Sequence, residues 1–235
     1  MREEDTMKIA VLGTGMVGRA LAGRLSGLGH DVVIGTRNVE QTRARTEPDA
    51  MGTPPYSHWQ EENSEVRLMT LPEAGAHGEV IFNATNGANA LAALESVGAG
   101  PLAGKVLLDL GLPLDLSEGF PPTLTIANTD SLGEQIQRAF PETRVVKSLN
   151  SVFCDVMIDP ARVPGQHNIF VAGNDPDAKT TVEGLLGEFG WPAGSIIDLG
   201  DITGARGAEM YARLYFTLYN VLGTFDFNIA VVHAR

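Results

Sequence analysis

A glycine-rich turn near the N-terminus constrains the fold more than any other feature of this sequence. An apolar run from Met7 to Leu12 leads into it, and the apolar residues that follow recur at helical spacing. In a dinucleotide-binding turn, one glycine allows the tight bend, the second admits the pyrophosphate, and the third lets helix pack on strand. The phosphates then meet unpaired N–H groups at the positive end of the helix dipole. The predicted phosphate-binding residues are Gly13, Thr14, Gly15, Met16, Val17 and Gly18.

The end of the second predicted strand, Asp31 to Thr36, indicates which dinucleotide binds. About 20 residues beyond the glycine turn, NAD-binding proteins place an Asp or Glu that accepts hydrogen bonds from the adenosine ribose. Here the strand ends in Thr36, Arg37 and Asn38, without a carboxylate. Because a guanidinium with hydroxyl and amide donors suits a 2′-phosphate, we predict NADP. Arg43 is a weaker candidate for phosphate binding, because the sequence is equally consistent with a solvated surface arginine at this position.

Further apolar runs predict a large sheet. Strands are expected over 66–70, 80–84, 105–111, 144–149, 168–173 and 195–199, and helices over 72–78, 90–97, 131–140 and 176–189. We therefore predict an α/β fold: a doubly wound, mostly parallel Rossmann sheet with extra C-terminal strands and a C-terminal helix. The predicted units are an NADP-binding domain over 7–200 and a helical region over 201–235.

Three strand ends are expected to surround the nicotinamide half of the dinucleotide. Ligands of open parallel sheets bind beyond the carboxyl ends of the strands, near the switch point. The residues that end or follow the predicted fourth, fifth and sixth strands are Ala84, Thr85, Asn86 and Asn89, then Leu112 and Pro113, then Asn150. Helix capping is the alternative role for the two asparagines of the first group.

Two stretches leave alternatives open. Residues 47–63 are rich in Pro and acidic residues and show no helix or strand period, so they are expected to form an irregular lid, an oligomer contact or a variable loop. The terminal segment has an apolar stripe beside a tyrosine stripe, which predicts a helix that packs on the sheet or pairs with a second subunit. The stripes are Leu214, Leu218, Leu222 and Phe225, beside Tyr211, Tyr215 and Tyr219.

Composition limits the partners. The chain has 235 residues, of which 43% are hydrophobic, and its formal net charge of −12 argues against nucleic acid. No apolar run approaches the roughly 20 residues that a membrane span requires. The polar, acidic residues 1–6 do not resemble a secretory signal, so we predict a cytoplasmic protein. The single cysteine, Cys154, is expected to be buried and inert, and the scattered histidines predict no metal site.

With these motifs in place, the chain over about residues 7–233 resembles the coenzyme F420-dependent NADP oxidoreductases. The stretches that carry the resemblance are 11–18, 35–38, 145–151, 170–175 and 198–201. The resemblance implies a homodimer that passes hydride between NADPH and a deazaflavin. It also implies pyrophosphate at residues 14–17, a 2′-phosphate at Thr36 and Arg37, and a nicotinamide and F420 framed by the turn at 84–89 with Leu112, Pro113 and Asn150.

Besides hydride transfer to a flavin-type acceptor, two other functions remain open at this point. The sequence offers no compelling general base, which suits direct hydride transfer between NADPH and F420 or a related flavin, where the cofactor carries the chemistry. A module that binds NADPH and reports redox state to a partner, without turnover, fits the same residues. An imine-type or β-hydroxyacid-type dehydrogenase is the other enzyme class considered, although such enzymes carry a large helical second domain.

Overall fold

An eight-stranded sheet with helices on both faces organises the computed structural model, which describes residues 6–49 and 52–234. The strands are β1 (Lys8–Leu12), β2 (Asp31–Thr36), β3 (Arg67–Thr70), β4 (Val80–Asn83), β5 (Val106–Asp109), β6 (Leu114–Asp115), β7 (Thr123–Leu124), β8 (Arg144–Ser148), β9 (Ile169–Gly173) and β10 (Ile196–Asp198). The helices are α1 (Met16–Gly27), α2 (Val39–Ala44), α3 (Tyr56–Glu62), α4 (Leu71–His77), α5 (Ala90–Val97), α6 (Ala99–Leu102), α7 (Leu132–Ala139), α8 (Cys154–Ile158), α9 (Pro176–Phe189) and α10 (Ala205–Leu222).

The strand order confirms the predicted doubly wound sheet. The order is β10-β9-β8-β5-β4-β1-β2-β3, and every neighbouring pair is parallel except β8 and β9. Strands β6 and β7 form a separate antiparallel ribbon within the connection after β5. The chain leaves β1 towards β2 on one side and returns to β4 on the other, so the switch point lies where β1 and β4 end.

Both faces of the sheet are covered, which explains why its strands read as continuous apolar runs. Along β1, Ile9 and Val11 belong to the core that α1 and α9 complete, whereas Ala10 and Leu12 belong to the core under α4, α5 and α7. Alternate side chains of each strand point to opposite faces, so a strand buried on both sides needs an apolar residue at every position.

Local capping chemistry explains the helix boundaries that the sequence predicted well. Helix α9 spans the predicted 176–189, because Asp175 accepts a hydrogen bond from the Ala178 amide at 2.8 Å and Pro176 occupies the first helical position. Its end is set by Gly190, whose φ of 103° is the left-handed conformation that favours glycine.

The segment at 47–63 is not irregular throughout, which corrects the prediction made for it. Residues 56–62 form α3, and Tyr56 is buried with its ring 5.5 Å from that of Trp59. A helix of seven residues with one buried side chain shows no period that a sequence window can detect. Residues 50 and 51 of this segment lie outside the described residues, as do residues 1–5 of the acidic N-terminal stretch.

The C-terminal helix packs through a different face from the one its apolar stripe suggested. Leu214 and Leu222 are each 52% exposed, so they do not belong to the core. A different face of α10 carries several alanines, and these short side chains let the helix backbone lie close to the elements beneath it. The buried residues of α10 are Ala205, Ala208, Glu209, Ala212 and Tyr215. None of the helices in the described part of the chain is long and apolar enough to cross a membrane.

Candidate cofactor site

The glycine turn between β1 and α1 shows three distinct uses of glycine. Gly13 has a φ of +120°, and its amide donates to the Gly35 carbonyl at 3.0 Å. A Cβ on Gly18 would lie 2.1 Å from the Gly13 carbonyl oxygen, so this glycine lets α1 pack against the turn. A Cβ on Gly15 would meet no described atom within 4 Å, so the turn is open at that point. The arrangement leaves room for an anion beside the N-terminus of α1.

A cavity of about 820 Å³ runs from the glycine turn past the end of β2 to the turn after β4. It brings together ten of the residues that the sequence singled out: Gly13, Thr14, Gly15, Thr36, Arg37, Asn38, Ala84, Thr85, Asn86 and Asn89. The residues that sequence reasoning missed are Gly35, Gln41, Thr42, Ala44, Arg45, Asp49, Leu71, Ala92, Ala93 and Ser96. Most of these lie on α2 or just after it, where a helix of six residues gives little sequence signal, or on α5, a helix that was predicted without identifying the face that lines the cavity.

At its β2 end this cavity is lined by Arg37 and by several other polar side chains. The hydroxyls of Thr36 and Thr42 lie 2.8 Å apart, and the Asn38 side chain accepts from the Gln41 amide at 2.8 Å, which begins α2. Arg45 also lines the cavity, and its buried Nε has no hydrogen-bond partner among the described residues. An unpaired buried guanidinium donor is costly unless a ligand pairs with it, so this end is suited to an anion.

Arg43, by contrast, is exposed and is not among the described residues that line the cavity. The structure therefore assigns the cavity wall after α2 to Arg45 rather than to the arginine that the sequence offered. Arg45 follows the last residue of α2 and its backbone turns extended there, which carries the chain away from the helix direction. Counting helical turns along the sequence from the end of β2 does not predict that change of direction.

The turn after β4 packs against the loop after β5, as the parallel sheet predicts. A Cβ on Gly87 would lie 2.0 Å from the Leu112 carbonyl oxygen, so glycine is required where the two segments meet. The Asn86 side chain caps the short helical turn at 87–89 by accepting from the Ala88 amide at 3.0 Å. Capping, the alternative role for Asn86, is therefore present alongside its position in the cavity wall.

Six of the singled-out residues lie outside the lining of this cavity in the described structure: Met16, Val17, Gly18, Leu112, Pro113 and Asn150. The Asn150 side chain is buried and donates to the Ala208 carbonyl at 2.9 Å, which ties the end of β8 to α10. A role for Asn150, Leu112 and Pro113 beside a nicotinamide stays a prediction.

A second cavity of about 450 Å³ begins at Met16, the residue after Gly15, so both cavities reach the start of α1. Its other lining residues are Arg19, Ala20, Thr53, Pro54, His58, Trp59, Glu62, Cys154 and Asp155. Helix α3 and the segment before it thus form a wall of this cavity. Burial, followed by the negative charge of Asp155, raises the pKa of the Cys154 thiol to about 12, which fits the predicted inert thiol.

Arg19, in the wall of the second cavity, links the glycine turn to the segment before α3. It is 4% exposed, and it donates from Nε to the Thr14 carbonyl at 2.7 Å and from Nη1 to the Pro54 carbonyl at 2.6 Å. Its guanidinium lies over the Tyr56 ring, 5.5 Å from the ring centre. Burial and then the neighbouring Arg45 lower the pKa of Arg19, and its Nη2 has no hydrogen-bond partner among the described residues. The arginine thereby holds the glycine turn and the α3 segment together.

A buried ionic cluster behind the strand ends was not found from the sequence. Lys147 on β8 has a fully buried side chain, and its Nζ lies 2.8 Å from Asp109 Oδ2 and 2.9 Å from Glu209 Oε1. Burial opposes the ammonium, but the two carboxylates hold the pKa of Lys147 above its ordinary value. A charged residue inside the apolar run of a buried strand is the sequence signal that could have pointed to both Asp109 and Lys147.

No metal centre accompanies these groups: across residues 6–49 and 52–234, no three His, Cys, Asp or Glu side chains are arranged to hold a metal ion.

Comparisons with known proteins agree with this geometry. A family model described as NADP oxidoreductase, coenzyme F420-dependent, matches residues 8–113, which include the glycine turn and the loop after β5. A crystal structure from Arthrobacter sp. FB24, provisionally assigned as an F420-dependent NADP-reductase, is 51% identical. The match covers 97% of this chain and 100% of that one, with a TM-score of 0.92.

Two curated relatives are more distant. The chain is 28% identical over 208 residues to Metalloreductase STEAP3 of Rattus norvegicus, which covers 88% of this chain. It is also 28% identical over 216 residues to the F420-dependent NADP reductase of Methanothermobacter marburgensis, which covers 90% of this chain. The chain spans 36% of the length of the metalloreductase and 92% of the length of the reductase. On this evidence the chain belongs to the coenzyme F420-dependent NADP oxidoreductase family and is an NADP-dependent oxidoreductase.

Proposed function

We propose that this protein transfers a hydride between NADP(H) and coenzyme F420 or a related flavin. The observation that carries the proposal is one cavity that joins an open glycine turn to a carboxylate-free strand end containing Arg37. NADP carries both a pyrophosphate and a 2′-phosphate, and a candidate binding group for each of them lines this one cavity. The name of the Methanothermobacter relative supplies the second substrate class.

The residues present fit NADP. Room beside Gly15 and the start of α1 would accept the pyrophosphate, because no side chain caps this helix N-terminus and its first backbone N–H groups can donate to an anion. Arg37, with Thr36 and Asn38, would bind the 2′-phosphate, and the unpaired Nε of Arg45 would find a partner in the same group. Ala92 and Ala93 of α5 provide small apolar surface on the cavity wall, which suits the adenine.

We further propose that the second substrate enters the 450 Å³ cavity that begins at Met16. Trp59 offers an aromatic side chain for a planar ring, and Arg19 contributes a buried guanidinium nitrogen that has no hydrogen-bond partner among the described residues. NADPH, when bound, supplies the hydride. The chain then contributes orientation: the turn at 84–89, held against Leu112, and the start of α1 would keep the two rings in register.

The protein is also proposed to act as a homodimer in the cytoplasm. The exposed apolar side chains of α10 support the dimer, since Leu214, Val221 and Leu222 are all exposed on one helix. Light scattering should give twice the chain mass, and a Leu214→Glu, Leu222→Glu variant should give the mass of one chain. An unchanged mass in that variant would place the subunit contact elsewhere.

The function is tested by mixing the purified protein with NADPH and, in turn, F420, FMN and FAD, while the absorbance of each oxidised acceptor is followed. Turnover with one of them supports the proposal. Tight NADPH binding without turnover of any acceptor would favour the redox-sensing module instead. Turnover of imines or β-hydroxyacids, with none of the flavin-type acceptors reduced, would favour the dehydrogenase alternative.

A pair of cavity-filling variants tests where each substrate lies. Ala20→Met places a larger side chain in the wall of the second cavity, and Ala92→Met places one in the wall of the first, so each variant reduces the free volume of one cavity. Both substitutions keep a good helix former, so the helices should persist. Ala20→Met should raise the KM for the acceptor and leave the NADPH dissociation constant unchanged, and Ala92→Met should do the reverse. Equal effects of the two variants on both constants would argue against separate sites.

A further inference from the structure

A continuous chain of polar contacts runs from the cofactor cavity to the C-terminal helix. The Thr85 hydroxyl, in the cavity wall, donates to Asn83 Oδ1 at 2.6 Å, and Asn83 Nδ2 donates to Asp109 Oδ1 at 2.8 Å. Asp109 pairs with Lys147, and Lys147 pairs with Glu209 of α10. The four side chains from Asn83 to Glu209 are all buried, so water does not compete for these contacts.

The same cluster holds the loop after β5 through both the amide and the carbonyl of Gly111. The Gly111 amide donates to Asp109 Oδ1 at 3.1 Å, and Lys147 Nζ donates to the Gly111 carbonyl. Leu112 follows at once, and its carbonyl is the atom against which the Gly87 turn packs. The cluster therefore fixes the two turns, after β4 and after β5, that border the switch point.

Glu209 also closes the far end of the chain of contacts. Its two carboxylate oxygens accept from the Leu132 and Gly133 amides at 2.8 and 3.0 Å, at the first turn of α7. The cluster contains one cation and two carboxylates, and the positive end of the α7 dipole offsets the excess negative charge. Removing the charge of Glu209 would leave buried donors unpaired, so a neutral side chain of similar size should not replace this carboxylate.

We propose that Asp109, Lys147 and Glu209 are positioning residues that set the two turns bordering the nicotinamide half of the cofactor site, so that α10 governs the geometry of hydride transfer. The inference rests on the proposed function for the identity of the bound ring. It assigns no proton transfer to the cluster, because Thr85 alone among these side chains lines the cavity in the described structure.

The decisive variant is Glu209→Gln, with Arg206→Gln as its matched control. Arg206 also lies on α10 and also pairs with a residue of α7, Glu134, at 2.6 Å, but neither of these residues belongs to the chain of contacts. Both variants therefore weaken the junction of the same two helices. Only Glu209→Gln disturbs the turns at the strand ends.

We expect Glu209→Gln to lower kcat by about ten- to a hundredfold, as a displacement of reacting groups by about 1 Å does. The NADPH dissociation constant should stay within about twofold, because the adenosine half of the cavity is untouched. The fluorescence of the bound reduced nicotinamide should change as well. Arg206→Gln should lower the melting temperature without moving kcat or the fluorescence.

A Glu209→Gln protein that melts earlier but keeps wild-type kcat and fluorescence would overturn the inference. If Glu209→Gln does not fold, Asn83→Leu takes its place, because it cuts the link between Asp109 and Thr85 without removing a charge. The same changes in kcat and fluorescence are expected for Asn83→Leu, and their absence would overturn the inference. The fluorescence arm is independent of the acceptor. Wild-type protein that binds NADPH without turnover would therefore contradict the proposed function alone, and failure to bind NADPH would contradict both.

Discussion

The backbone of Gly13 lies against the carbonyl of Ala84, so closely that a Cβ at position 13 would be 2.6 Å from that oxygen. The turn after β1 and the turn after β4 thus form one continuous floor at the switch point of the sheet. The glycine turn is consequently a packing element as well as a candidate phosphate site. Substitutions within it should separate these two roles.

Gly18→Ala and Gly15→Ala are expected to fail in different ways. The first places a methyl 2.1 Å from the Gly13 carbonyl and should cost about 1–3 kcal/mol of unfolding free energy. The second meets no described protein atom within 4 Å, so its stability should change by at most about 0.5 kcal/mol, whereas its NADPH affinity should fall. Thermal unfolding and NADPH titration of both variants check this. Equal losses of stability would contradict the distinction.

Arg37→Asp should reverse the preference for NADP over NAD. The substitution replaces a guanidinium in the cavity wall by a carboxylate that repels a 2′-phosphate and accepts from ribose hydroxyls. Loss of a charge-assisted hydrogen bond predicts a fall in NADPH affinity of about ten- to a hundredfold. Arg43→Asp makes the same charge change outside the described lining and should leave the preference intact. Discrimination unaltered by Arg37→Asp would remove Arg37 from the site.

Tyr56 should tolerate the loss of its hydroxyl but not of its ring. The side chain is fully buried, and its hydroxyl has no hydrogen-bond partner among the described residues. Tyr56→Phe should therefore leave the unfolding free energy unchanged or raise it. Tyr56→Ala removes the ring beneath Arg19 and should cost about 3–5 kcal/mol. Urea unfolding of both variants provides the measurement, and a large cost for Tyr56→Phe would show that the hydroxyl is paired.

Asp130 should contribute stability that disappears in acid. Its hydrogen bond with Arg138 is the main reason why its pKa falls from the ordinary 3.8 to about 2. Because the folded-state pKa is the lower one, the contribution is complete above about pH 4 and is lost as the pH falls through about 2. The side chain is 31% exposed, so we expect less than about 1 kcal/mol.

The comparison of wild type with Asp130→Asn by urea unfolding between pH 6 and pH 2.5 measures this contribution. The difference in unfolding free energy should shrink as the pH falls, and Arg138→Leu should show the same trend. A difference that stays constant over this range would mean that Asp130 gains nothing from its ionised form.

Much of this protein can be predicted from its sequence, because the information is local. The glycine turn, the strand that ends at Thr36 and the helix over 176–189 are each specified by neighbouring residues: by backbone freedom, by apolar runs and by capping. The ends of parallel strands must also share one edge of the sheet, so Ala84 and Thr85 could be placed beside the glycine turn without any coordinates.

Tertiary structure alone decided the rest, since it joins residues that are distant in the chain. Arg45 lines the cavity because the backbone turns after α2, and Arg19 reaches Pro54 across 35 residues. Lys147 meets Asp109 and Glu209 only because β5, β8 and α10 pack together. A buried charge is tolerated only where partners surround it, and those partners come from separate elements of the fold. The sequence by itself predicts where a dinucleotide binds, and the packing decided which side chains line and support that candidate site.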